Sequence, residues 1–458
     1  MTAVYYALGV VIFVVAILAS IGLHEFGHMI PAKKFGGKVT QWFIGFGPTV
    51  WSRRIGETEY GVKAIPLGGY VKIVGMLPPG AEQLDEDRAA PVHDEHGNRV
   101  VRVRKSNTGM FAQLVSDARA AEWEHVSAGD ENRLFYRMAW WKKVVVMAGG
   151  PTVNLLIAFL LFWSVFATFG YVDRVQVSPV VDQVVPCIVP ADEDGRPCTA
   201  EELEENPTPA REAGLRPGDR IVSFNGTPIT DWKQVQQSIR GNGSRPATLG
   251  IERDGERLEV DVTTQVTPRP VDPEEPEALE PVGFLGITPV QDPVYAEGGP
   301  LYTIDYMGQA TVEVVRGIAT LPASVWDVAQ ALVGLEERDP EGPVSIVGGG
   351  RMAGEVAATD QFVVAEKVAM LLMLVAGFNL FIGMFNFIPL LPLDGGHIAG
   401  ALWEAVRRGA ARLRGRPDPG YVDVAKLLPI AYVMAAAMLV LGLVLIVADI
   451  FVPVPLNF

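Results

Sequence analysis

The sequence predicts a multi-pass α-helical membrane protein with about four transmembrane helices, a membrane-associated β-hairpin and an extracytoplasmic α+β domain. Three observations predict it. Four apolar runs are each long enough to cross a bilayer. Hydrophobic residues make up 49% of the 458-residue chain although charged residues still make up 20%. Between the second and third runs, strand and turn chemistry replaces helical apolar patterning. Such a chain is too long for one ordinary core, so several folded units are expected.

The four runs cover about Tyr5–Pro31, Val144–Gly170, Val368–Leu393 and Leu427–Val452. A helix needs ~20 residues to cross ~30 Å of hydrocarbon, and each run supplies them. The first is a poor signal peptide, because it opens without a basic region and its apolar stretch exceeds the usual ~7–15 residues. Segment by segment, residues 1–31 form the first span and 143–170 the second. Residues 363–404 form the third and 427–453 the fourth.

Orientation follows from the short loops. Residues 405–426 hold Arg407, Arg408, Arg412, Arg414 and Arg416, a basic run that should remain cytoplasmic. Residues 32–142 share the bias through Lys33, Lys34, Lys38, Arg53, Arg54, Lys142 and Lys143. Both termini and residues 171–362 are then expected outside. The formal net charge of −15 argues against a nucleic-acid partner, since phosphate binding needs a basic surface.

Within the cytoplasmic loop, residues 38–76 read as a glycine-punctuated β-hairpin with a turn at Gly68–Gly69. It is either a small structural sheet or an open strand presented to a substrate. His93, His96 and His125 fall in an acidic, proline-bearing stretch and are expected to be solvated. Cys187 and Cys198 are too few for a disulfide scaffold, and one disulfide or two free thiols both remain open.

Outside, Pro217–Gly218–Asp219 marks a turn and Ile221–Val222–Ser223–Phe224 a strand, followed by a second turn at Asn225–Gly226. A helix over Asp231–Ile239 and two strands about Asp254–Gly255 complete the unit. This order, with Gly-Leu-Arg-Pro-Gly-Asp-Arg-Ile at 214–221, resembles the PDZ domain, here assigned to 171–266. Residues 267–362 are expected as a Pro/Glu-rich linker and a membrane-proximal amphipathic region.

His24–Glu25–Phe26–Gly27–His28 carries the chemistry. Residues four apart lie about 40° apart around a helix, so both imidazoles leave one face. That suits two ligands of a tetrahedral Zn²⁺, while Glu25 sits where it can take a proton from the attacking water. Five such residues recur by chance. Ionisable groups inside an apolar span are costly, and that makes these functional rather than a mere helix cap. A catalytic zinc needs a third ligand. Asp394, in Asn386-Phe-Ile-Pro389-Leu-Leu-Pro392-Leu-Asp394-Gly-Gly-His397, is the favoured one and His397 the rival. Pro389 and Pro392 must break or kink the helix there.

Together, the HEFGH pattern, Met147-Ala-Gly-Gly-Pro-Thr-Val-Asn154, the PDZ-like unit and Asn386…Pro389…Leu393-Asp394-Gly-Gly resemble the site-2 proteases, which are intramembrane zinc metalloproteases. The resemblance spans nearly the whole chain and is nearest to the bacterial branch that cleaves anti-sigma factors already trimmed by a first protease. It implies one zinc per chain on His24, His28 and Asp394, with Glu25 as general base. It also implies substrate contacts from Asn386 and Pro389 and from the hairpin at Gly68 and Gly69. The implied partners are single-span membrane substrates, an upstream site-1 type protease and the bilayer of a bacterial cell membrane. One departure stands out: well-studied enterobacterial members carry two PDZ domains and this chain shows one.

The expected activity is regulated intramembrane proteolysis by a zinc metalloendopeptidase. Gly27 and Gly149–Gly150 are expected to loosen the helices around a wet cavity. The alternative is a non-proteolytic PDZ membrane scaffold on the same core.

Overall fold

The structure is a computed structural model that describes residues 2–78, 115–119, 126, 130, 132–190, 196–270 and 278–455. His93, His96 and His125 lie outside the described residues. The chain divides into two compact units, one of Met1–Phe169 with Gly298–Phe458 and one of Gly170–Glu297.

The first unit is helical. Helix α1 runs Thr2–Lys34, uninterrupted because its apolar run meets no proline before Pro31, and Lys33 and Lys34 complement its carbonyl end. Helix α2 covers Trp140–Thr168. Among the described residues, four helices are long and apolar enough to cross a membrane: Thr2–Lys34, Trp140–Thr168, Val364–Asn386 and Val424–Phe451. These fit a multi-pass membrane protein. The third predicted segment is two helices rather than one. It ends at Asn386, and a new helix begins at Asp394, because Pro389 and Pro392 cannot continue the ladder.

Strand β1 (Val39–Ile55) and strand β2 (Thr58–Ile73) form the predicted hairpin. The hairpin folds over on itself, so Trp42 is flanked by Val71 on one side and Tyr60 on the other. The tip of the hairpin falls between Ile55 and Thr58, and β2 itself reverses between Val62 and Gly69, because Glu59–Val62 and Gly69–Lys72 run past Gln41–Ile44 in opposite directions; Gly68 and Gly69 lie at the end of that reversal. Gly68 adopts φ +97°, and a Cβ there would press on the Phe46 ring at 3.0 Å.

The second unit is β-rich and includes short helices α3 (Ala200–Glu205) and α4 (Pro209–Glu212). Strands β3 (Tyr171–Val184), β4 (Arg220–Phe224), β5 (Thr227–Pro228), β6 (Pro246–Arg253) and β7 (Glu256–Thr263) surround helix α5 (Trp232–Asn242). Asp231 caps α5 by accepting from the Gln234 amide. Val181, Ile221, Leu249, Ile251 and Val235 form its core.

The unit extends beyond the predicted boundary at 266. Strands β8 (Gln265–Pro270) and β9 (Leu279–Phe284) pair with each other, and β10 (Ile287–Ala296) pairs with β3. Pro268, Pro270 and Pro281 of the expected linker sit in β8 and β9, a two-stranded pair in which each strand is an edge and the missing N–H is tolerated; residues 271–277 lie outside the described residues. Cys187 and Cys198 are joined as a disulfide.

Among the described residues, five further α-helices complete the first unit after the β-rich insertion. Helix α6 spans Pro300–Leu332 and helix α7 Ile346–Ala358. They precede α8 (Val364–Asn386), α9 (Asp394–Leu413) and α10 (Leu428–Phe451). Helix α7, which falls in the stretch expected as a linker and membrane-proximal amphipathic region, packs on the first half of α1. A Cβ on Gly9 would lie 2.7 Å from Ala357 Cβ, and one on Gly349 would lie 2.8 Å from the Phe13 ring. Arg338 and Asp449 form a buried ion pair beside it at 3.2 Å, and the Ser345 amide donates to Asp449 at 2.6 Å.

Candidate metal centre

Helices α1, α2 and α9 build the site. Gly27 of α1 and Gly149 of α2 meet backbone to backbone; a Cβ on Gly27 would lie 2.7 Å from the Gly149 carbonyl carbon. The glycines therefore tighten this crossing, where looseness was expected. Gly150 faces the imidazoles. A Cβ there would collide with His28 Nε2 and lie 2.7 Å from His24 Nε2.

His24 and His28 are 7% and 4% exposed, and their Nε2 atoms stand 3.1 Å apart. Asp394 Oδ2 lies 3.3 Å from each of them. Among the described residues, these three form the cluster whose donor atoms could hold a metal ion. Two donors of a tetrahedral Zn²⁺ bonded at ~2.0–2.1 Å stand about 3.3 Å apart, so the observed triangle matches one face of that tetrahedron. His28 Nδ1 donates to the Val146 carbonyl at 2.8 Å. A carbonyl only accepts, so the proton sits on Nδ1 and Nε2 keeps its lone pair for a cation. Two imidazoles and one carboxylate, with no thiolate, form a donor set suited to zinc.

Asp394 reaches the histidines because it opens α9, with Leu393 at the cap position. A carboxylate is favoured at a helix N-terminus. The reversal over 387–393 passes so close to α9 that a Cβ on Gly396 would lie 2.6 Å from the Leu391 nitrogen. Only glycine fits there. His397, one turn on, falls outside the three-residue cluster and lines a small cavity with Met76, Lys143 and Glu404.

Glu25 lies on the neighbouring face of α1, against the hairpin. A Cβ on Gly69 would touch Glu25 Cγ at 3.2 Å and Ile21 Cγ2 at 3.0 Å. The Val71 backbone interacts with the Glu25 carboxylate. Residues Gly69–Ile73 pair with 39–44, and among the described residues their outer edge carries no further strand. Asn386 ends α8 and spends one amide hydrogen on the Ile382 carbonyl at 3.0 Å, which leaves its oxygen free of that bond. Pro389 is exposed on the reversal.

Two neighbours of the site carried no readable signal. The Val146 carbonyl is a backbone atom, which no motif specifies. Lys143 reads as a membrane-flanking charge, yet it is buried and paired with Glu404.

Comparison with known proteins agrees with this geometry. Residues 12–428 match the family described as Peptidase family M50. The chain is 32% identical to zinc metalloprotease Rip1 of Mycobacterium tuberculosis, with 98% of each chain covered. It is 31% identical to the protein of that name in Mycolicibacterium smegmatis, again with 98% of each covered. It is also 23% identical to the regulator of sigma-W protease RasP of Bacillus subtilis, across 87% of this chain and 90% of that one.

Proposed function

The chain belongs to peptidase family M50 and is a zinc metalloprotease, and from that premise we propose that it cleaves single-span membrane proteins within their membrane-spanning segment. The observation that carries this reading is the His24, His28 and Asp394 triangle, with both histidines on the candidate span Thr2–Lys34, which packs against a second one, Trp140–Thr168. His24, His28 and Asp394 hold the zinc. Bound zinc supplies Lewis acidity, which acidifies water and polarises a peptide carbonyl.

The remaining work falls to the chain itself. Glu25 accepts a proton from the attacking water and returns one to the leaving amine. A peptide bond is exposed to attack only after the substrate helix unwinds. The free edge at Gly69–Ile73 offers backbone hydrogen bonds to the unwound strand, and Gly68 and Gly69 keep that edge free of side chains. Asn386, an amide that both donates and accepts, and Pro389 beside it contact the substrate backbone from the opposite side.

The second unit is a PDZ-like domain on the extracytoplasmic side of a bacterial cell membrane. Its strand and helix order, the disulfide between Cys187 and Cys198 and the basic loop at 405–426 all support that topology. The substrates are anti-sigma-factor-like proteins first trimmed by a site-1 type protease. The name of the Bacillus subtilis relative, a regulator of sigma-W, supports this choice.

The test compares the native chain with Glu25→Gln in detergent, using a pre-trimmed single-span substrate. Both should hold about one zinc, and only the native chain should cut within the span. Equal cutting by the variant would remove Glu25 from the mechanism. A native chain without zinc would overturn the ligand set.

A further inference from the structure

The two histidines of the site are supported unequally. His28 Nδ1 donates to the Val146 carbonyl, whereas His24 Nδ1 is buried and has no partner among the described residues. A ligating imidazole ordinarily donates through its other nitrogen, which fixes both tautomer and ring orientation.

Helix α2 supplies the acceptor for His28 from Val146, four residues before Gly150, the residue that faces both Nε2 atoms. Four residues after Gly150, on the same helix face, stands Asn154. It is 1% exposed, and neither its amide oxygen nor its amide nitrogen has a partner among the described residues. A buried carboxamide left without a hydrogen-bond partner is costly in an apolar medium. Nearby α8 carries Asn379, also buried; its amide donates to the Val375 carbonyl at 2.8 Å and its oxygen too is unpartnered among the described residues, but it is Asn154 that stands one helical turn from Gly150, the residue facing both imidazoles.

We propose that Asn154 is a positioning residue for His24. Its carboxamide oxygen receives the His24 Nδ1–H through one bridging water and so holds Nε2 toward the zinc. Val146 and Asn154 then act as a pair, one turn either side of Gly150, each fixing one imidazole. No direct bond joins Asn154 to His24, and a bridging water satisfies both groups at once. The inference rests on His24 being a zinc ligand.

The experiment follows zinc retention by the full chain in detergent against a graded chelator, for the native protein, Asn154→Leu, Asn154→Asp and Asn379→Leu. Asn154→Leu should release zinc at a chelator concentration ~10–100-fold lower, the usual effect of losing an outer hydrogen bond to a ligand. Asn154→Asp keeps an acceptor and should hold zinc at least as well as Asn379→Leu, which should behave as the native chain does.

Native-like retention by Asn154→Leu would overturn the proposal while leaving the zinc site intact. Equal loss in Asn154→Leu and Asn379→Leu would also overturn it, by showing a general loosening between α2 and α8. A native chain that binds no zinc would remove the ligand assignment and this inference together. Should the leucine variant fail to fold, Asn154→Ser and Asn154→Ala decide by the same comparison. Stronger retention by the hydroxyl-bearing variant supports the bridge, and equal retention removes it.

Discussion

Lys143 and Glu404 meet at 2.8 Å, their side chains only 7% and 2% exposed. Arg408 approaches the other Glu404 oxygen at 3.3 Å, and the Lys143 ammonium stands 5.0 Å from the centre of the Tyr421 ring. The pair ties α2 to α9, the helix that Asp394 opens. Removing one member of a buried pair leaves the other charge without compensation, at a cost of about 3–5 kcal/mol. Glu404→Leu should therefore lower the thermal unfolding midpoint of the detergent-solubilised chain markedly. Lys143→Met added to Glu404→Leu should recover most of the loss. A double variant no more stable than the single would mean that the pair does not act as a unit.

Gly150→Ala places a methyl group where His28 Nε2 now sits and 2.7 Å from His24 Nε2. Neither ring can retreat freely, because His28 is anchored to Val146. The variant should keep its helical circular dichroism and lose most of its zinc, measured by metal analysis. Full zinc content would mean that the two helices can part by the width of a methyl group.

Asp219 gives the β-rich unit a pH dependence. Burial pushes its carboxyl up, but the Arg253 guanidinium at 2.7 Å and the Arg216 amide outweigh burial and hold it below the ordinary range. A carboxyl depressed in the folded state contributes its full stability above the unfolded pKa, near ~3.9, and loses it as pH falls through the lower folded value. Hydrogen exchange of β4 and β6 within the full chain should accelerate as the pH drops below about 4. Asp219→Asn should accelerate it at neutral pH, by on the order of 2–3 kcal/mol. Unchanged exchange in the variant would count against this pairing as a support of the sheet.

If the β-rich unit faces the cell exterior, Cys187 and Cys198 should be unreactive to alkylation in intact cells until a reductant is added. Labelling of both thiols without reduction would put the unit on the cytoplasmic side.

The parts legible in the sequence are those set by local spacing. The two histidines declare themselves because a four-residue interval puts both on one helix face. The turn before β4, the helical stretch of α5 and the Asp254–Gly255 hairpin follow from local chemistry within a few residues. Asp394 was found by the cost of its burial, although its place at the start of a separate helix depends on how the 387–393 reversal packs. What stayed hidden depends on distant partners. Lys143 and Glu404 are 261 positions apart. Helix α7, with thirteen residues, is too short and too glycine-rich to read as a membrane element, and its glycines gain a purpose only against distant side chains: Gly348 against Asp449, Gly349 against Phe378 and Phe13, and Gly354 against Tyr6. The end of the β-rich unit was misplaced because proline-rich edge strands share their composition with linkers.

The meeting of Gly27 with Gly149 has a consequence for traffic. Where two main chains touch, the seam between α1 and α2 admits neither a lipid tail nor a peptide, so that side of His24 and His28 is a wall. Glu25 looks away from it, toward the strand edge at Gly69–Ile73. On the proposed roles a polypeptide therefore has a one-sided approach, and the direction in which its backbone meets Glu25 is set before any side chain is read.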